Sequence, residues 1–196
     1  MRLWLKTRRI SVLAATLVAY AALTATAGDT LVDLPSLGSD SARPLVLFAP
    51  LLACAGLALT LDSRLPAAES SGSRPVARLD QALVLTTVLT TVAVAYAVTV
   101  LLDTQSANIA GRNTAFLVGL MLCARRIAGH QVAAVVPVAW VITMMLIGNT
   151  GGNGQAHPWT VILMPPDHTL AALAATAMLA LGTVSAPAAP MIRDAS

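Results

Sequence analysis

Long apolar runs separated by short polar stretches dominate this chain. A helix that crosses a bilayer needs ~20 mostly apolar residues, with a range of about 17–25. Six segments approach that length, and the pattern predicts a transmembrane helix in each: residues 10–27, 44–61, 81–102, 113–127, 132–147 and 169–185. None of the six alternates apolar and polar residues with a period of two, which argues against strands and against a β-barrel.

The composition agrees with this pattern. Apolar residues make up 57% of the 196 residues and charged residues only 11%, whereas a soluble domain carries about 25% charged residues. The mean hydropathy is +0.76. We therefore predict an all-α integral membrane protein whose residues 1–196 form a single transmembrane domain.

The distribution of Arg and Lys predicts the orientation, because cytoplasmic loops of membrane proteins carry an excess of both. With the N-terminus inside, only Arg43 and Arg112 of the 12 basic residues fall in outer segments. The other basic residues fall in inner segments, which hold Arg2, Lys6, Arg8, Arg9, Arg64, Arg74, Arg78, Arg125, Arg126 and Arg193. Both termini are thus predicted to lie in the cytoplasm of a plasma-membrane protein.

The segments outside the spans differ in character. Residues 1–9 form a basic cytoplasmic leader, and residues 63–79 form a polar, flexible cytoplasmic loop. Residues 1–27 also resemble a secretory signal, with small residues before Gly28, but the apolar stretch of ~18 residues exceeds the usual 7–15. Between the fifth and sixth spans, Trp159 to Met164 are flanked by prolines and are too few to span. We expect a short interfacial or re-entrant segment there.

Arg112 is the first polar residue that draws attention. Twelve residues separate it from Arg125, which is ~18 Å of helix against a hydrocarbon core of ~30 Å. One interpretation is a thin fourth span from which both arginines reach the interfaces. The other is a helix that begins near Asn108 and draws Arg112 below the outer surface, in which case Asp103 is the expected acidic partner.

Four threonines of the third span lie in pairs one helical turn apart, and the spacing predicts a polar face. Tyr96 lies near that face. Together with Arg112 they are the candidate lining of a substrate path, which comprises Thr86, Thr87, Thr90, Thr91, Tyr96 and Arg112. The alternative is that the threonine hydroxyls join neighbouring helices or bond back to the preceding turn.

Motifs for catalysis are missing from the sequence, which contains no phosphate-binding loop and no nucleophile elbow. We expect no enzyme activity, cofactor, metal site or nucleic-acid partner, and we expect Cys54 and Cys123 to act as small apolar residues. Asp167 and His168 are expected to cap the sixth span. A small intramembrane enzyme that uses them with His157 is the remaining alternative.

Six spans, inner termini, a basic leader and an interrupted apolar segment before the last span resemble the membrane subunit of an ABC-2-type exporter, of the small actinobacterial type. The resemblance implies a permease-like protein, as a homodimer or heterodimer, that exports a small hydrophobic compound or peptide. A separate ATPase would supply the energy, and the leader would contact that ATPase through Trp4, Lys6, Arg8 and Arg9.

A second hypothesis comes from a different class of protein. A non-transporting membrane accessory or immunity protein, which binds a partner protein or a membrane-active peptide, accounts for the same composition. The neighbouring coding sequence separates the two, since an adjacent ATPase favours the exporter and an adjacent sensor, peptidase or toxin favours the accessory role.

Overall fold

A computed structural model describes residues 9–27, 30–33, 42–63, 76–104, 106–147 and 160–184. This part of the chain is predominantly helical, which confirms the helical fold class. Its α-helices are α1 Ile10–Thr26, α2 Ala49–Asp62, α3 Val76–Leu102, α4 Ser106–Ala128, α5 His130–Ile147 and α6 Thr169–Val184. Each overlaps one of the six apolar segments of the sequence.

Between α1 and α2 the chain forms a short antiparallel pair of strands that the sequence pattern does not predict. Strand β1 covers Leu31–Asp33 and strand β2 covers Ala42–Pro44, with Val32 opposite Arg43. A 3₁₀ turn, Leu45–Phe48, then leads into α2. Strands of three residues are too short for a period of two to stand out in the sequence.

Two stretches are long and apolar enough to cross a bilayer by length and composition, namely Leu45–Asp62 and Arg78–Leu102. The apolar helices Ile10–Thr26, His130–Leu146 and Thr169–Val184 are shorter, within 10–17 residues. Helix α4 is long but less apolar, because polar residues occupy its first turns. Insertion of all six helices into a membrane therefore stays a prediction.

The helix boundaries correct the sequence pattern in two places. Helix α4 begins at Ser106 rather than at residue 113, and α3 begins at Val76, so residues 76–79 belong to a helix and not to the predicted loop. The hydropathy pattern does not identify the first residues of these two helices, because polar side chains interrupt the apolar runs there. Three leader residues, Trp4, Lys6 and Arg8, lie outside the described residues, whereas Arg9 is exposed just before α1.

Helix α4 lies at the centre of the bundle and packs against α2, α3, α5 and α6. All its residues from Asn113 to Gly119 are buried. The middle of the central helix is thus buried on every side, although it includes the polar residues Asn113 and Thr114. Small side chains explain this, because they let helix backbones approach one another closely.

Glycines allow the main chains of α4 and α6 to approach closely. A Cβ atom added to Gly119 would lie 2.5 Å from the carbonyl oxygen of Met178, and one added to Gly182 would lie 2.6 Å from the carbonyl oxygen of Gly119. Real side chains do not tolerate such distances. Only glycine fits at these two positions without separating the helices.

Consecutive helices from α3 to α5 run in opposite directions, joined by tight turns. Asp103 has a φ of 52° after α3, and Gly129 has a φ of 86° between α4 and α5. The bundle therefore has two ends. We call the one where α4 begins the Arg112 end, and the one where α4 terminates the Arg125 end.

Candidate functional site

At the Arg112 end, the Arg112 guanidinium binds main-chain carbonyls of residues 160–165, which we call the 160–165 turn. Its Nη1 donates to the carbonyl oxygen of Pro165 at 2.6 Å. Its Nη2 donates to the carbonyl oxygens of Met164 at 2.7 Å and Val161 at 3.1 Å. The turn contains the 3₁₀ helix Val161–Leu163. One cation thus binds carbonyls in and just after this short helix, and one of them, that of Pro165, also accepts the amide of His168 at 3.2 Å.

Asn113 adds a second contact to the same turn. Its Nδ2 donates to the carbonyl oxygen of Ile162 at 2.8 Å, and the residue is 1% exposed. Ile162 is itself buried. Adjacent residues of α4 therefore bind adjacent parts of the turn, which lies against the central helix as part of the core.

This arrangement corrects the expected ion pair between Arg112 and Asp103. Helix α4 does begin early enough to place Arg112 within its first two turns. The partners of the guanidinium, however, are carbonyl oxygens and, at 3.5 Å, the Oδ1 of Asn113. A carbonyl cluster satisfies several guanidinium donors at once. The contact between Arg112 and these carbonyls therefore holds a segment in place. It does not supply acid–base chemistry, because main-chain carbonyl groups do not exchange protons near neutral pH.

The structure separates the residues predicted to line a substrate path. Thr87 and Thr91 are buried, whereas Thr86, Thr90 and Tyr96 are exposed, so the threonines lie on two faces of α3. Arg112 points to the 160–165 turn instead. The six residues do not form one lining.

Most of these threonine hydroxyls bond back to their own helix. The hydroxyl of Thr87 donates to the carbonyl oxygen of Leu83, that of Thr90 to Thr86 and that of Thr91 to Val88, each at 2.8 Å. The alternative interpretation, in which the threonine hydroxyls bond back to the preceding turn, therefore describes these three residues better. Back-bonding satisfies a hydroxyl inside an apolar environment without a partner helix.

Sequence patterns missed Tyr20, which makes the polar contact between α1 and α3. Its hydroxyl donates to the carbonyl oxygen of Thr91 at 3.2 Å, and the residue is fully buried. The hydroxyl of Thr24 donates to the main-chain carbonyl oxygen of Tyr20 at 2.6 Å. A lone tyrosine in an apolar span was the available signal, because a buried tyrosine usually finds a partner for its hydroxyl.

At the Arg125 end, polar contacts join α4 to α2 and α3 to α6. Arg125 forms an ion pair of 2.7 Å with Asp62 and donates to the carbonyl oxygen of Leu61 at 3.1 Å. Gln81 donates through its Nε2 to the carbonyl oxygen of Thr183 at 3.1 Å. The last residues of α2, α4 and α6 thus lie at the same end as the first residues of α3.

These helix ends surround a cavity of about 270 Å³, which we call the Arg125-end cavity. Its lining comprises Leu61, Asp80, Gln81, Val84, Leu122, Arg125, Arg126, Gly129, His130 and Thr183. Asp80 is only 6% exposed, although its sequence position indicates a residue at the edge of a span. The earlier start of α3, at Val76, explains why Asp80 lies inside a helix.

A second cavity, of about 220 Å³, lies between α2 and α5, and we call it the Cys54 cavity. Apolar side chains of both helices line most of it, and Asp62 lies at its edge. Pro137 belongs to the lining and stands inside α5, where it removes a main-chain hydrogen bond. Cys54 also lines this cavity, and its thiol is buried and forms no disulfide. This position is the one expected for a cysteine that acts as a small apolar residue.

The histidines and Asp167 do not converge within the described residues. His157 falls outside those ranges, and Asp167 is exposed. The carbonyl of His168 accepts the first amides of α6, from Ala171 at 3.1 Å and Ala172 at 3.2 Å, while its Nδ1 is buried without a hydrogen-bond partner. No group of three His, Cys, Asp or Glu side chains suited to a metal ion occurs in the part of the chain that the structure describes.

No protein-family model, curated protein or solved structure matches this chain. The function is therefore inferred from the geometry and the sequence.

Proposed function

We propose that this chain is a six-span protein of the plasma membrane with both termini in the cytoplasm. The observation that carries this step is the set of large apolar side chains exposed on α3, α5 and α6. They are Leu85, Leu89, Val92, Tyr96, Val100, Leu101, Leu102, Val132, Val135, Val138, Ile142, Leu146, Leu170, Leu173, Leu181 and Val184. Soluble monomers rarely expose contiguous apolar patches larger than a few hundred Å², whereas lipid covers such faces at no cost.

The two ends of the bundle support the orientation. Arg125 and Arg126 lie at one end with Asp62, and Arg112 lies near the other end of the same helix. The excess of basic residues on the side of Arg125 assigns that end to the cytoplasm. The 160–165 turn then faces the outer side.

Within the membrane, we propose that the chain serves as the permease-like subunit of a two-component exporter. Three features support this role: the 160–165 turn between α5 and α6, which matches the resemblance to ABC-2-type exporters; the apolar Cys54 cavity; and a sequence without a nucleotide-binding motif. A separate ATPase supplies the energy, and the apolar lining fits a small hydrophobic compound or an apolar peptide.

Co-purification from native membranes tests the exporter role. We expect an ATPase to accompany the tagged full-length chain, and the triple variant Lys6→Ala, Arg8→Ala, Arg9→Ala to lose it. Arg193→Ala, at the other cytoplasmic terminus, is the matched control and should retain it. If no ATPase accompanies the wild-type chain, and no ATP hydrolysis in those membranes depends on it, the exporter proposal is wrong.

Labelling of single cysteines tests the orientation independently, in a Cys54→Ala, Cys123→Ala background. A membrane-impermeant thiol reagent added to whole cells should label Asp167→Cys and leave Ser63→Cys unlabelled until the cells are opened. The reverse pattern would contradict the proposed orientation.

One observation favours the accessory hypothesis over the exporter. The middle of α4 is buried on all sides, and the threonines of α3 split between two faces, so the described residues show no polar path along the bundle axis. Retention of a sensor, peptidase or toxin in place of an ATPase would select the accessory role.

A further inference from the structure

The Cys54 cavity has a buried floor and an exposed rim. Cys54, Ala58 and Pro137 form the floor, and all three residues are buried. The rim consists of exposed residues from both helices, namely Ala55, Leu59, Ala134 and Val138. The cavity therefore opens at the side of the bundle, between α2 and α5.

The side chains of the lining make this cavity a poor site for water. Among the residues that line it, the polar side-chain groups are the Cys54 thiol and the Asp62 carboxylate, and Asp62 already pairs with Arg125 at 2.7 Å. A buried water needs about 2–4 polar partners. An unfilled apolar cavity, in turn, deprives its lining atoms of dispersion contacts. Hydrocarbon is therefore the chemistry that fills the space best.

The lining is longer along one helix than along the other. On α2 it extends from Leu51 to Asp62, which is ~16 Å of helix. On α5 it extends only from Ala134 to Val138, which is ~6 Å. An engineered apolar cavity of ~150 Å³ binds the compact molecule benzene, and the Cys54 cavity is larger, at about 220 Å³. Its shape fits a linear hydrocarbon segment that lies along α2.

The depth of the cavity indicates where such a segment comes from. In the proposed orientation the lining ends on the cytoplasmic side, at Asp62. From there it extends ~16 Å along α2, close to the ~15 Å that one leaflet contributes to a hydrocarbon core of ~30 Å. At the rim, Leu59 and Val138 are 49% and 40% exposed, so the lipid-facing surface continues into the cavity. An acyl chain of the cytoplasmic leaflet thus lies beside the opening at the matching depth.

We propose that the Cys54 cavity binds one acyl chain of a phospholipid of the cytoplasmic leaflet, which lies along α2 with its headgroup at the level of Asp62. The inference rests on the proposed function, which supplies both the surrounding bilayer and the orientation. It also deepens that function, because a hydrophobic compound that uses the cavity during export has to displace this chain. The headgroup is not selected, since Asp62 and Arg125 compensate each other's charge.

Photochemical cross-linking tests the proposal with a phosphatidylcholine that carries a diazirine near the middle of one acyl chain. The full-length protein is reconstituted into vesicles of phosphatidylethanolamine and phosphatidylglycerol that contain this lipid, transferred to detergent to remove loosely bound lipid, and then irradiated. We expect cross-links, located by peptide mass spectrometry, on residues 51–62 of α2 and 134–138 of α5. An absence of retained lipid, or cross-links spread over the exposed faces of α3 and α6, would overturn the proposal.

Substitutions at the rim test the same site by filling it. Ala55→Leu and Ala134→Leu place a larger side chain in the opening, and each should lose most of the cross-linked lipid. Ala139→Leu makes the same change at an exposed position of α5 outside the lining and should retain the lipid. Undiminished cross-linking in both rim variants would contradict the site. If the rim variants do not fold, the map of cross-links on the wild-type protein still decides.

Native mass spectrometry separates recognition of the chain from recognition of the headgroup. Phosphatidylethanolamine and phosphatidylglycerol with identical acyl chains should be retained equally, and a clear preference for either headgroup would contradict the proposal. A folded protein that co-purifies with its ATPase but retains no lipid would refute this inference and leave the exporter proposal intact. Lipid retained at the cavity by a chain that recruits no ATPase would support the inference and refute the exporter role.

Discussion

The guanidinium of Arg112 donates a hydrogen bond of 2.7 Å to the main-chain carbonyl of Met164, although 52 residues separate them. With the bonds to Val161 and Pro165, this contact attaches the segment between α5 and α6 to the central helix. Near the proposed outer face, this cation therefore binds specific carbonyls and holds the segment against the central helix.

Replacing Arg112 should be costly. Arg112→Ala removes the donor to the carbonyls of the buried residues Val161 and Met164, and an unsatisfied buried acceptor costs about 1–3 kcal/mol. Arg112→Lys should recover part of the loss, because an ammonium donates hydrogen bonds but lacks the planar fork. Thermal unfolding in detergent measures the difference, with Arg43→Ala as the control. Equal effects of Arg112→Ala and Arg43→Ala would mean that the carbonyl contacts contribute nothing.

Asn113 should act together with Arg112, since both bind the same turn. Asn113→Ala alone is expected to cost about 1–3 kcal/mol, because the amide is buried and bonded to Ile162. Residues that share a network show coupling energies of about 0.5–3 kcal/mol. A double-mutant cycle measured by chemical unfolding should give a coupling within that range. Strict additivity would contradict the shared role.

A side chain at Gly119 should destabilise the protein. In Gly119→Ala the added Cβ meets the carbonyl of Met178 at 2.5 Å, whereas in Gly111→Ala the nearest atom, the Cβ of Ala95, is 3.1 Å away. Overpacking of this kind costs about 1–3 kcal/mol. Gly119→Ala should therefore lower the melting temperature and the folded yield more than Gly111→Ala. Size-exclusion chromatography after heating measures both, and the opposite order would contradict the close α4–α6 contact.

The ion pair between Arg125 and Asp62 should contribute little by itself. The side chains are 19% and 30% exposed, and exposed ion pairs contribute about 0–1 kcal/mol. Asp62→Asn should therefore lower stability only slightly. Arg125→Ala should lower it more, because it also removes the donor to Leu61. Unfolding at low and high salt checks the assignment, since only the ion-pair part is expected to weaken with salt.

For polar residues of α1 and α3, the loss of stability on substitution should depend on whether the side chain is buried. Tyr20→Phe removes a buried hydrogen bond to Thr91 and should cost about 0.5–1.5 kcal/mol. Thr90→Val should be nearly neutral, because its exposed hydroxyl bonds only to its own helix. Thermal unfolding in detergent measures both. If Thr90→Val lowered stability strongly and also abolished export, the prediction that Thr90 lines a substrate path would be supported instead.

The positions of the helices were predictable because apolar runs and the Gly, Pro and charged residues between them mark helix ends directly. The start of α4 was less predictable. Residues 106–112 include polar side chains, and their helical state depends on packing against α3 and on the 160–165 turn. Asp80 was assigned to the edge of a span for the same reason, since α3 begins in a stretch that hydropathy does not recognise.

The face that each helix turns to its neighbours could not be predicted. A helix that is apolar on every side offers no amphipathic pattern from which an inner face can be inferred. Thr87 and Thr86 are adjacent in sequence, yet one is buried and the other exposed. Only the packing of α3 against α1 and α4 distinguishes them.

The sequence by itself determined the helical class, the extent of the apolar segments and the uneven distribution of basic residues, because each depends on local composition. Tertiary structure decided the partners of Arg112, the burial of Asp80 and the grouping of five helix ends around one cavity. Those features depend on main-chain carbonyls and on contacts between segments tens of residues apart. No local pattern encodes them, since a carbonyl is present at every residue and becomes a specific partner only where the fold places it.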